Sequence, residues 1–139
     1  MHKAKACVIS CIDFRFNEAI QNYLRDHGLL NVSDEISIAG GTRDFVKPME
    51  AADGNYIWKE LELSLKLHDP NLVIFMDHQD CGGYAQDGTI PEGLTAAVDQ
   101  DEHRKYFKIL KEKFIKLHPG KHVRFYHATL DGKITEVLV

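Results

Sequence analysis

Two stretches of this chain share one build: an apolar run that ends in residues able to hold a metal ion. ACVISCIDFR, residues 6–15, ends in a cysteine with an acid and an arginine beyond it. LVIFMDHQDCGGY, residues 72–84, ends in a histidine three residues before a cysteine. Cys11, Asp13 and Arg15 are spaced by two, so an extended chain would point all three side chains the same way. Gly82-Gly83 lets the backbone turn tightly just after Cys81. Two thiolates and an imidazole, from Cys11, Cys81 and His78, form a good zinc donor set. A catalytic zinc site keeps three protein ligands and one open position.

Taken singly, a cysteine at a strand end is usually a small buried hydrophobe and a histidine a satisfied polar residue. The two stretches together reverse that balance. Cys7 lies inside an apolar run with no partner pattern and reads as core. His127, on the last strand, reads as packed or hydrogen-bonded rather than as a ligand. Other cysteine chemistries fit less well. A phosphatase-type loop needs an arginine six residues after Cys11, where Asn17 stands. There is no C-x-x-C pair for redox work. There is also no G-x-G-x-x-G motif and no phosphate-binding P-loop.

The 139 residues fit a single compact domain, 1–139, long enough for a real core. Net charge is -4, with no basic block, which argues against nucleic acid or an anionic membrane as partner. No run of about 18 apolar residues is present to span a bilayer. Three cysteines are too few and too odd in number for a disulfide framework. A reducing compartment follows, and the start MHKAKACVIS reads as that of a mature cytoplasmic enzyme.

The elements that must position these residues alternate. Residues 5–10 read as a buried strand. A helix over 17–27 follows, with Asn17 as N-cap and Gly28 as stop. EISIA, 35–39, reads as a second strand, broken by GGT, and the segment from there to ADGN carries little pattern. The next helix spans 55–68. Ile57, Trp58, Leu61 and Leu65 fall on one arc, and Leu63 and Leu67 on another. Two apolar arcs point to two contacts, a second core contact or a subunit interface. Residues 72–76 form a continuous apolar strand, covered on both faces. Residues 84–95 read as loop or short helix. A helix over 100–118 presents His103, Tyr106, Phe107, Leu110, Phe114 and Leu117 at helical spacing. Asp131-Gly132 between two strand-like runs predicts a closing hairpin. The fold class is therefore α/β: a mainly parallel central sheet of four strands plus an antiparallel edge strand, with helices on both faces. Sites in such sheets form just beyond the carboxyl ends of strands, where both stretches lie.

CIDFR followed by HQDCGG resembles the β-class carbonic anhydrases, whose signature is C-x-D-x-R after the first strand and H-x-x-C-G after a later one. IAGG, 38–41, sits where that family has R-N-A-G, and YHATLDGKITEV resembles its last hairpin. The resemblance covers most of the chain, in order. It implies zinc held by Cys11, His78 and Cys81, with Asp13 and Arg15 as the family's catalytic dyad. It implies reversible hydration of CO2 to bicarbonate by a zinc-bound hydroxide, in a homodimer or higher homo-oligomer. Asp13 would orient the hydroxide while Arg15 holds Asp13, or Asp13 would swing over as a fourth zinc ligand. A helix N-terminus or the Gly40-Gly41 amides would help receive bicarbonate. Two departures stand out. Ser37-Ile38 precede Ala39, so the arginine of R-N-A-G has no counterpart, and the first strand is expected to begin almost at Met1, without the family's helical arm before it. Two other readings stay open: the same zinc site acting on another small electrophile such as carbon disulfide, or a non-catalytic zinc-stabilised binding or regulatory protein.

Overall fold

The computed structural model describes residues 2–139. Its core is a five-stranded sheet in the order β2-β1-β3-β4-β5. The strands are β1 (Ala6–Ser10), β2 (Asp34–Ser37), β3 (Leu72–His78), β4 (His122–Ala128) and β5 (Ile134–Glu136). The first four run parallel and β5 pairs antiparallel with β4, as the alternating pattern and the hairpin signal predict. The helices are α1 (Asn17–Asp26), α2 (Arg43–Val46), α3 (Ala51–His68), α4 (Gly82–Ala85) and α5 (Ala96–Leu117).

Strand alternation divides the core. Cys7, Ile9, Val73, Phe75 and Phe125 face one side, packed with Phe45 of α2, Ile57 and Leu61 of α3, and Phe107, Leu110 and Phe114 of α5. Ala6, Val8, Ile74, Met76, Tyr126 and Ala128 face the other, under Phe16 and Ile20 and Leu24 of α1. Cys7 is fully buried, and burial holds its thiol up at about 11, so it belongs to the core. Trp58 donates its indole N–H to the Phe45 carbonyl at 3.3 Å, joining α3 to α2.

Helix starts differ from the periodicity reading where side chains cap the backbone. α3 begins at Ala51, four residues before the expected start, because Glu50 and Asp53 form a reciprocal capping box. α5 begins at Ala96, not 100, where the Thr95 side chain accepts from the Val98 N–H. Asn17 is the first residue of α1 rather than its cap, because a 3-10 turn over Phe14–Phe16 precedes it. The unpatterned segment holds the one-turn helix α2. β3 also runs two residues further than expected, through His78. The second arc of α3 finds no second core contact among the described residues: Leu63 and Leu67 are 37% and 54% exposed.

The chain leaves β1 towards β2 on one side and returns to β3 on the other, so the switch point of the sheet lies between β1 and β3. Two glycine turns meet above it. A Cβ on Gly83 would stand 2.5 Å from both the N and the Cα of Gly40, so backbone lies directly on backbone. Arg43, 2% exposed, clamps the contact by donating to the Gly83 carbonyl at 2.8 Å, the Lys47 carbonyl at 2.8 Å and Asp87 Oδ2 at 2.7 Å. Gly83→Ala is expected to lower unfolding free energy in urea by about 1–3 kcal/mol, the usual cost of overpacking. Gly120→Ala, where a Cβ meets nothing within 4 Å, is expected to stay within about 0.5 kcal/mol of the parent. Equal stability of the two variants would show that the Gly40–Gly83 approach carries no constraint.

Candidate metal centre and its acid–arginine pair

β1 and β3 pair in parallel with Ile9 opposite Phe75, so the residues that follow each strand emerge side by side. Cys11 lies just past β1, His78 ends β3, and Cys81 caps α4. All three are buried, and their donor atoms lie within 4.8 Å of one another. The His78 Nδ1–H donates to the Gln79 carbonyl at 2.8 Å, which leaves Nε2 as the free lone pair. That Nε2 is buried and has no hydrogen-bond partner. The Phe16 ring packs on the imidazole, with centroids 4.2 Å apart and planes at 30°, and fixes its plane. An orphaned imidazole nitrogen facing two sulfurs fits a thiophilic cation of the zinc type.

The sulfurs are unequal. A hydrogen bond from Cys81 draws the Cys11 thiol well below its ordinary range, against the opposing effect of burial, with His78 and the Gly40 N–H assisting. The same bond and burial push the Cys81 thiol up. The Gly40 N–H points at Cys11 Sγ from 3.4 Å, and the Gly41 N–H is taken by the Ile38 carbonyl at 3.0 Å. Neither amide is therefore left to receive an anion, contrary to the expectation from the sequence.

Asp13 and Arg15 meet, but not through an extended chain. β1 ends at Ser10, and the Asp13 side chain caps the 3-10 turn by accepting the Arg15 N–H at 3.0 Å. The turn folds the guanidinium back onto the carboxylate, with Nη2 to Oδ2 at 2.7 Å and Nε to Oδ1 at 3.1 Å. These bonds hold the Asp13 carboxyl below the usual range. Arg15 is held from its far side by Asp80, through Oδ2 at 3.1 Å and the carbonyl at 3.0 Å. Asp80 sits in the left-handed region at φ 63 between His78 and Cys81, and its Oδ1 accepts the Gly93 N–H at 2.9 Å. Asp13 Oδ2 comes within 3.8 Å of His78 Nε2. A cleft of about 550 Å³ opens here, lined by Cys11, Asp13, Arg15, Ala39, Gly40 and Glu92. Ile12 and Phe14 also line it, and both are exposed.

Sequence reasoning missed Asp80 as the second anchor of Arg15, although its place between two candidate ligands was visible. It also missed the buried polar residues on the α5 side of the sheet. Thr42 donates its N–H to Asp77 Oδ1 at 2.9 Å and its hydroxyl to Oδ2 at 2.5 Å, and it pairs with the Tyr84 hydroxyl at 2.6 Å. His127 Nε2 lies 2.7 Å from Asp99 Oδ1.

A parallel sheet with cysteine, histidine and an acid–arginine pair at its switch point is the architecture of a carbonic anhydrase-like protein. The chain belongs to the family described as "Putative carbonic anhydrase", whose pattern matches residues 1–137. An uncharacterized protein of Rickettsia bellii is 28% identical over 99% of this chain and 84% of its own length. Among solved structures, the carbonic anhydrase of Streptococcus mutans superposes with a TM-score of 0.61 at 15% identity, over 99% of this chain and 83% of that one. A tetrameric β-carbonic anhydrase of Sordaria macrospora gives 0.62 at 15% identity, over 100% and 83%. These two likenesses establish the fold.

In protein loaded with cobalt(II), Cys81→Ser is expected to lose most of the near-ultraviolet thiolate-to-metal charge-transfer absorption, because a hydroxyl is a poor substitute for thiolate. Undiminished bands in that variant would remove Cys81 from the ligand set.

Proposed function

We propose that this chain is a zinc-dependent lyase of the carbonic anhydrase type, hydrating CO2 reversibly to bicarbonate, with Cys11, His78 and Cys81 as ligands. The observation that carries the reading is the buried, unpartnered His78 Nε2 converging with two cysteines beside a carboxylate locked by arginine. A structural site needs no such carboxylate, which favours catalysis over a purely stabilising metal.

Zinc supplies Lewis-acid activation of water at near-neutral pH when bound. The chain's own residues do the rest. Asp13 is kept ionised by Arg15, so it accepts a hydrogen bond from water entering the cleft and orients a lone pair towards CO2. Arg15 keeps that carboxylate from turning towards the metal ligands, and Asp80 keeps Arg15 from leaving. Phe16 keeps bulk water off the face of His78 that it covers.

The sign of the pH dependence follows. The depressed Asp13 pKa leaves the carboxylate charged throughout the neutral and alkaline range, so Asp13 contributes no step there. Activity is expected to rise between about pH 6.5 and 9, following deprotonation of the activated water. Asp13→Asn is expected to lower CO2 hydration by roughly 10–100-fold across that range, as for other residues that orient groups at a metal site. Stopped-flow hydration assays on zinc-loaded protein check both. No turnover in wild type with full metal occupancy would overturn the lyase reading, and an unimpaired Asp13→Asn would remove Asp13 from it.

The same reading takes the protein to be a homodimer or larger. Ile12 and Phe14 at the cleft and Leu63 and Leu67 on α3 are exposed apolar side chains that the described residues leave uncovered. Light scattering at micromolar concentration is expected to give at least twice the 15.8 kDa chain mass. A monomer would reject it.

A further inference from the structure

A second polar cluster is sealed beneath α5. Strand alternation places Asp77 and His127 on the α5 face of the sheet, directly opposite each other in the β3–β4 register. Asp99 and His103, one turn apart on α5, come down onto them. All four residues are at most 2% exposed, and Asp99, His103 and His127 are at 0%.

Hydrogen bonding among these groups does not close. The His103 Nδ1–H donates to Asp77 Oδ2 at 2.7 Å, so its Nε2 is left facing Asp99 Oδ1 at 3.4 Å with no hydrogen bond formed. The His127 Nε2–H donates to Asp99 Oδ1 at 2.7 Å, leaving Nδ1 without a partner. Two acidic side chains are buried here, and among the described residues neither forms an ion pair with a lysine or arginine. Buried acids of this kind call for a compensating cation.

We propose that Asp99, His103 and His127 bind a second divalent cation, of the zinc class and structural in role, separate from the ion at the cysteines. One donor atom from each lies within 4.8 Å of the other two. Ligands about 2.0–2.1 Å from a tetrahedral zinc stand roughly 3.3–3.4 Å apart. The His103–Asp99 separation of 3.4 Å already has this value, and the His127–Asp99 contact of 2.7 Å would open by about 0.6–0.7 Å as His127 Nε2 gives up its proton to the ion. The supporting contacts are those of a metal-ligating histidine. The ring nitrogen of His103 away from the cluster donates to a carboxylate, and that carboxylate is itself held by Thr42. Imidazole and carboxylate without sulfur suit a borderline ion. Full burial leaves no approach for substrate, so the site is structural. Asp99 Oδ2 also accepts the Asp80 N–H at 3.1 Å, so the ion would clamp α5 to the loop between His78 and Cys81.

The test counts metal and is independent of CO2 chemistry. The full chain is unfolded, freed of metal, refolded with zinc and desalted for elemental analysis, because the site is sealed in the folded state. Wild type is expected to retain two zinc ions per chain, Cys11→Ser/Cys81→Ser one, and His103→Gln one. A double-serine variant with none, or a His103→Gln variant that keeps the wild-type complement, would overturn the proposal. Should either variant fail to refold, wild type unfolded, freed of metal and refolded with increasing cobalt(II) decides. The expected result is one equivalent with thiolate charge-transfer bands and a second that adds only weak visible bands. Saturation at one equivalent, with thiolate charge-transfer bands alone, would overturn the proposal.

Discussion

Parallel pairing of β1 with β3 is the constraint on which everything else rests. It sets Ile9 against Phe75 and thereby brings the segments after both strands to one end of the switch point. The two-residue alternation of β3 then sends neighbouring side chains to opposite faces. His78 turns towards Phe16 and the cleft, while Asp77 turns towards α5 and its buried histidines. One strand end thus serves two polar environments, and a one-residue slip of β3 would exchange them.

What lies beyond the strand ends is held by charge as well as by a small apolar cluster of Cys11, Cys81, Tyr84 and Ile90. Arg15 bridges the two segments, with Asp13 on its own turn and Asp80 on the other. Asp80 in turn hangs from Gly93 and Asp99. Displacing any one member would loosen the others in sequence. The cleft walls are therefore fixed through a chain of directed bonds that starts at α5, on the far side of the sheet.

The strand pattern, the closing hairpin and the family were legible because each rests on local rules. Apolar runs of five to seven residues, helical spacing in α5 and the Asp131-Gly132 turn need no knowledge of distant partners. Helix starts were misplaced where a cap decided them, although Glu50 with Asp53 and Thr95 carried a readable signal. Arg15 does pair with Asp13, but a 3-10 turn rather than an extended chain joins them. The anchoring roles of Asp80 and Arg43 were not legible because their partners, Arg15 and Gly83, lie 65 and 40 residues away. The α5 cluster was half legible. Asp99 and His103 continue the spacing of Phe107, Leu110 and Phe114, which marks them as inward-facing, but only the β3–β4 register shows that Asp77 and His127 await them.

The contact of Gly83 with Gly40 bears on how such a chain can drift. Most tight contacts have slack, since a larger residue on one side can be matched by a smaller one on the other. Here both partners already lack a side chain, so neither has anything to surrender. Ile12, Phe14 and Glu92 at the cleft carry side chains that can be exchanged one at a time. The paired turn beneath it has no single-step neighbour to visit, so variation at this site is channelled to its rim while its hinge stands still.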